Sequence, residues 1–121
     1  MKNRIRFISH KQKKVLLVDG TGCSAEQLEE FATLVPARVT AEPLESVLLL
    51  ADFTGAHFDK KSVERFKPAL VFDRPHLKRS AWVGMEGLPK IFYEHMKTFS
   101  QRELPTFKTR EEALDWLVKD V

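Results

Sequence analysis

Three apolar runs constrain this chain more than any other feature. Val15-Leu16-Leu17-Val18, Val47-Leu48-Leu49-Leu50-Ala51 and Ser80-Ala81-Trp82-Val83 are continuous rather than alternating. Strands of this kind are covered on both faces. Helical periodicity fills the gaps between them. Ser24 and Gln27 form a capping-box pattern, and Leu28, Phe31, Ala32 and Val35 make one apolar stripe behind it. Asp59 caps a second helix that turns Val63, Phe66 and Leu70 inward. Leu88, Ile91, Phe92, His95, Met96 and Phe99 form a third stripe, with Pro89 in the permitted first turn. Thr109 with Glu112 forms a second capping-box pattern ahead of a closing helix that presents Ala113, Trp116 and Leu117. Pro36 is expected to end or bend the first helix, and Pro68 to kink or stop the second.

Buried strands alternating with amphipathic helices imply a mainly parallel sheet with right-handed crossovers. Before the first buried run, Ile5 and Phe7 alternate with Arg4 and Arg6, as in a half-exposed strand. The polar break at residues 10–13 makes this an antiparallel hairpin. Pro105-Thr106-Phe107 reads as a short edge strand. The expected order is β, β, α, β, α, β, α, β, α. Residues 1–121 thus form one α/β domain, with a mixed, mostly parallel five-stranded sheet and about four helices. A chain of this length is one domain and hides roughly two thirds of its unfolded surface.

The single cysteine excludes an intrachain disulfide and fits a reducing compartment. No apolar run approaches the roughly 20 residues of a membrane span, and the N-terminus lacks a secretory apolar segment. A cytoplasmic protein is the expectation. The net charge of +3 is unevenly placed. Residues 1–14 carry six cations and no acid, while the rest, with fourteen cations against seventeen acids, sums to −3. Such a basic hairpin could contact nucleic acid or simply guard a sheet edge with solvated lysines. Only Phe7 and His10 offer stacking rings there, which favours the second reading.

Gly20-Thr21-Gly22-Cys23-Ser24-Ala25 matches the relaxed dinucleotide fingerprint G-x-G-x-x-A between a strand and a helix. Three features weigh against such a site. The capping box starts the helix after the glycines. Asp52 lies 27 positions beyond Ala25, longer than the motif's spacing of about 20. The strands are too few for the double mononucleotide fold. A repeat carries more weight. Val15–Gly22 and Val47–Gly55 are each a buried strand ending in Asp-x-Thr-Gly, and the third strand ends in Gly84-Met85. Parallel strands bring these turns to one edge, where open α/β sheets bind ligands. Asp19, Thr21, Gly22, Asp52, Thr54, Gly55, Gly84 and Met85 are therefore the candidate ligand-binding residues. The competing role for the Asp and Thr side chains is to fix their own turns.

Cys23 precedes a helix start, where a thiol pKa can fall, and His57 follows the neighbouring strand. A small buried thiol is the simpler reading. His10, His57, His76 and His95 show no metal-ligand spacing. His95 is expected at the core edge, and His76, Lys78 and Arg79 in a solvated loop. No convincing acid/base pair is visible.

The run Asp73-Arg74-Pro75-His76-Leu77-Lys78-Arg79-Ser80-Ala81-Trp82-Val83-Gly84-Met85-Glu86-Gly87-Leu88 resembles a segment of small bacterial STAS-like proteins. So does the ending, Phe99-Ser100-Gln101-Arg102 followed by residues 107–117, as do the Asp-x-Thr-Gly turns. The resemblance is closest from residue 73 onward. It implies the fold of anti-anti-sigma regulators, which is compared with the Sec14-type lipid-binding fold. It also implies a phospho-switched serine at the start of the helix after the third strand. In the matching stretch Phe58-Asp59-Lys60-Lys61-Ser62, Asp59 fits the acidic position, Lys60 stands where the serine would be, and Ser62 is displaced by two positions.

The expected function is a non-catalytic binding or regulatory module. It would take a protein partner or a small apolar or anionic ligand at the carboxyl edge of the sheet, with no cofactor. The alternatives are a small enzyme using Cys23 or the Asp-x-Thr-Gly turns, and nucleic-acid contact through the basic hairpin. An open sheet also leaves an edge strand through which a homodimer could form, with Trp82 or Tyr93 at its interface.

Overall fold

The computed structural model describes residues 2–88, 90–100 and 104–121. A five-stranded sheet runs in the order β1 (Ile5–His10), β2 (Lys13–Asp19), β3 (Val47–Asp52), β4 (Leu77–Val83), β5 (Thr106–Phe107). Only β1 and β2 pair antiparallel; every later pairing is parallel. The hairpin and alternating α/β units are those read from the sequence. The crossovers are α1 (Ala25–Val39), α2 (Lys60–Asp73) and α3 (Lys90–Ser100), and α4 (Arg110–Val118) closes the chain.

The continuous apolar runs divide by alternation. Leu16, Val18, Leu49, Ala51 and Trp82 point to one face, under α1, α2 and α3. Val15, Leu17, Leu48, Leu50, Ala81 and Val83 point to the other, under Ala113, Leu117 and Val118 of α4. Three successive βαβ units step across the sheet with their helices on one face, which a constant crossover hand requires. Among the described residues no helix is long and apolar enough to cross a membrane.

The helix starts are those expected. Ser24 and Asp59 each make reciprocal capping boxes, whereas at Thr109 only the bond from the Glu112 amide forms and the expected box is half complete. The prolines behave differently. Pro36 and Pro68 both lie inside helices that continue past them. Val39 beyond Pro36 is buried, as are Ala69, Leu70 and Asp73 beyond Pro68. Burying a side chain such as Leu or Val gains about 1.5–3 kcal/mol, comparable with the ~3 kcal/mol an interior proline costs. Thr40 also donates through both its amide and its hydroxyl to the Pro36 carbonyl.

The third helix is rotated from its expected face. Met96 is buried and Phe92 and Tyr93 pack against the core, while Ile91 and His95 are exposed. The Tyr93 hydroxyl donates to the Leu104 carbonyl, and this bond helps fix the rotation. His95 is therefore not a core-edge residue. Pro89 and the Phe99 side chain lie outside the described residues. Lys78 and Arg79 belong to β4 rather than to a loop, and His76 bonds the Glu42 carbonyl. Trp82 is buried beneath the helices and cannot serve a surface interface.

Leu50, fully enclosed on the central strand, sets the stability scale. Leu50→Ala is expected to lower unfolding free energy by about 3 kcal/mol. Leu44→Ala, at a side chain 67% exposed, should change it by less than ~0.5 kcal/mol. Urea denaturation checks both.

Candidate functional site

The two Asp-x-Thr-Gly segments fold into the same turn. The Asp19 Oδ1 accepts from the Thr21 amide at 3.2 Å and from its hydroxyl at 2.7 Å. The Asp52 Oδ1 accepts from the Thr54 amide at 3.0 Å and from its hydroxyl at 2.7 Å. A short carboxylate closing on the amide two residues ahead is what ends each strand and starts each turn. Parallel register places Asp19 opposite Asp52, and Asp52 opposite Val83. The turns then bond to each other. Gly20 N–H donates to the Asp52 carbonyl at 2.8 Å, and Gly22 N–H donates to the Thr54 carbonyl at 2.9 Å.

Two like charges in adjacent strands need a cation, and Arg110 supplies it. Its Nη2 lies 3.1 Å from Asp19 Oδ1 and its Nε donates to Asp52 Oδ2 at 2.5 Å. Arg110 is the first residue of α4, so the clamp also docks that helix onto the sheet. Two further contacts hold α4. Asp115 meets His10 Nε2 at 2.8 Å and Lys11 Nζ at 3.0 Å. Arg79 donates to the Trp116 and Lys119 carbonyls at the other end of the helix, where a cation suits the dipole.

Arg4 completes the first turn. One guanidinium nitrogen donates to the Asp19 carbonyl, the Thr21 carbonyl and the Cys23 sulfur at 3.2, 2.9 and 3.3 Å. Burial alone would raise the Asp19 pKa. The Thr21 hydrogen bonds and the Arg110 and Arg4 charges outweigh it, so the carboxyl sits below its ordinary value.

The structure brings the two Asp-x-Thr-Gly turns and Gly84 together. Asp19 and Asp52 spend their oxygens on their own turns and on Arg110. Gly84 has φ +73°, and a Cβ there would lie 2.3 Å from the Thr54 amide nitrogen. It lets the end of β4 press against the second turn. Gly22 also has positive φ, but nothing stands within 4 Å of its Cβ position. Thr54 and Gly55 are exposed, and Met85 borders open space.

That space is a groove of about 640 Å³, lined by Met85, Glu86, Thr106, Phe107, Lys108 and Glu112. A smaller recess of about 240 Å³ shares Met85 and Thr106 and reaches Leu88, Lys90 and Tyr93. Phe107, Lys108 and Glu112 were not anticipated as site residues. Only the packing of β5 beside β4 brings them to Met85.

Cys23 is fully buried. Burial pushes its thiol pKa up, against the lowering effect of Arg4. His57 meets it only through the backbone, its amide donating to the Cys23 carbonyl, while the His57 side chain is exposed. Ser62 is also fully buried. Its hydroxyl accepts from the Asp59 amide and donates to the Asp59 carbonyl. The Ser62 amide bond holds the Asp59 carboxyl below its ordinary pKa. Ser62 is thus the third-residue partner in the Asp59 capping box, with its hydroxyl enclosed. Three of the six hairpin cations are engaged in this way, Arg4 with the first turn, Lys11 with Asp115 and Lys14 with Glu42.

No family model, curated relative or solved structure matches the chain.

Two outcomes follow from this geometry. Arg110→Ala should cost about 2 kcal/mol, between exposed and fully buried pairs. Arg110→Lys should recover little, because one ammonium cannot reproduce the fork between two carboxylates. Asp19 titrates lower folded than unfolded, so its contribution is complete above the unfolded value near pH 4 and is lost as pH falls through the folded one. Thermal melts from pH 7 to 2 should show a fall in midpoint below about pH 4 that is shallower in Arg110→Ala. Gly84→Ala should destabilise by more than Gly22→Ala, whose cost is the left-handed strain of about 1–2 kcal/mol; paired melts decide this.

Proposed function

We propose that this chain is a non-catalytic, STAS-like binding module that engages a protein partner or small ligand at the carboxyl edge of its sheet. The observation that carries the reading is the groove over β4 and β5. It is open and is lined by Met85, Thr106 and Phe107 together with Glu86, Lys108 and Glu112. Its volume falls within the range of small-molecule sites, and its lining mixes polar and apolar groups. The mixed sheet and hairpin are the architecture that the STAS-like resemblance implies. The buried Ser62 argues for engagement without a phospho-switch at that position.

The enzyme alternative is weaker because its nucleophile is enclosed and its carboxylates are held in structural bonds. The nucleic-acid alternative is weaker because the basic hairpin is partly neutralised within the fold.

Amide chemical-shift mapping with a fragment set of small acids, amines and apolar rings tests the reading. The expected shifts concentrate at residues 85–86, 106–108 and 112, and persist in Cys23→Ala. Shifts centred on Cys23 and lost in that variant, or no saturable shifts at the groove, would contradict it.

A further inference from the structure

The core contains a polar group for which the described residues supply no acceptor. Trp82 lies on β4 beneath α1 and α2 and is 3% exposed. Its indole Nε1 is enclosed and makes no hydrogen bond to a described residue. An enclosed donor left without a partner is costly, so buried indole N–H groups usually find one.

Trp82 borders a cavity of about 20 Å³ between the sheet and the two helices. Most of the lining is apolar, including Val18, Phe31, Leu49 and Phe66. The exception is Asp73, at the end of α2, which is also 3% exposed. A carboxylate can accept several hydrogen bonds at once. A cavity of roughly 10–15 Å³ holds one water, and a water needs at least two polar partners to stay. This space therefore admits one water and excludes any organic ligand.

We infer that a single long-lived water is built into the core, accepting from Trp82 Nε1 and donating to Asp73. It links β4 to the end of α2 through the interior. Its site is distinct from the rim groove and independent of the function proposed for it. A dry cavity would leave the indole donor unpaired, which is the costlier arrangement.

Nuclear Overhauser measurements on the wild-type protein test this directly. The chain has two tryptophans, and a Trp116→Phe variant assigns their indole resonances. In a 15N-edited rotating-frame experiment the Trp82 indole proton should show a water cross-peak with the sign of dipolar transfer. Asp73→Asn keeps an acceptor and should retain the peak; Asp73→Leu should lose it. A peak with only the sign of chemical exchange, or no peak at the assigned Trp82 proton, would overturn the inference. Because the decisive spectrum is that of the unmodified protein, poor folding of a variant does not remove the test.

Discussion

Arg110 held between Asp19 and Asp52 is the contact on which the arrangement of this molecule depends. Two βα turns of identical design end neighbouring parallel strands, and their register sets two carboxylates side by side. Left alone they would repel. A guanidinium can serve both because its nitrogens are fixed in a planar fork. The same residue begins α4, so one side chain joins the carboxyl edge of the sheet to the helix covering its second face. The acids are thereby committed to architecture.

This commitment bears on function. A catalytic carboxylate needs a free oxygen within reach of substrate. Asp52 accepts from the Thr54 amide, the Thr54 hydroxyl and Arg110. Phe107 and Met85, with Lys108 and Glu112, line the neighbouring groove. The buried cavity beside Trp82, about 20 Å³, is far too small for a lipid or cofactor.

Much of this was legible in the sequence, for local reasons. Continuous apolar runs and capping residues depend on near neighbours, and Ser24 and Asp59 cap as read, while Thr109 forms half of its box. The Asp-x-Thr-Gly repeat placed Asp19 and Asp52 together because parallel strands share a direction. What escaped depends on distant packing. Arg110 lies 58 positions from Asp52 and has no local pattern; the signal was the pair of acids at one edge, which demands a cation. The prolines at 36 and 68 were outweighed by the burial that follows them. Ile91 and His95 fit the helical period but not the rotation fixed partly by the Tyr93 contact with Leu104. The groove arises only when a two-residue strand docks beside β4.

A double-mutant cycle between Asp52→Asn and Arg110→Ala, read by urea unfolding at neutral pH, measures the clamp itself. The account predicts a coupling energy of about 1 kcal/mol or more, because the two groups share one contact. Additive losses, with coupling below ~0.3 kcal/mol, would show that the turns and α4 are held by something else.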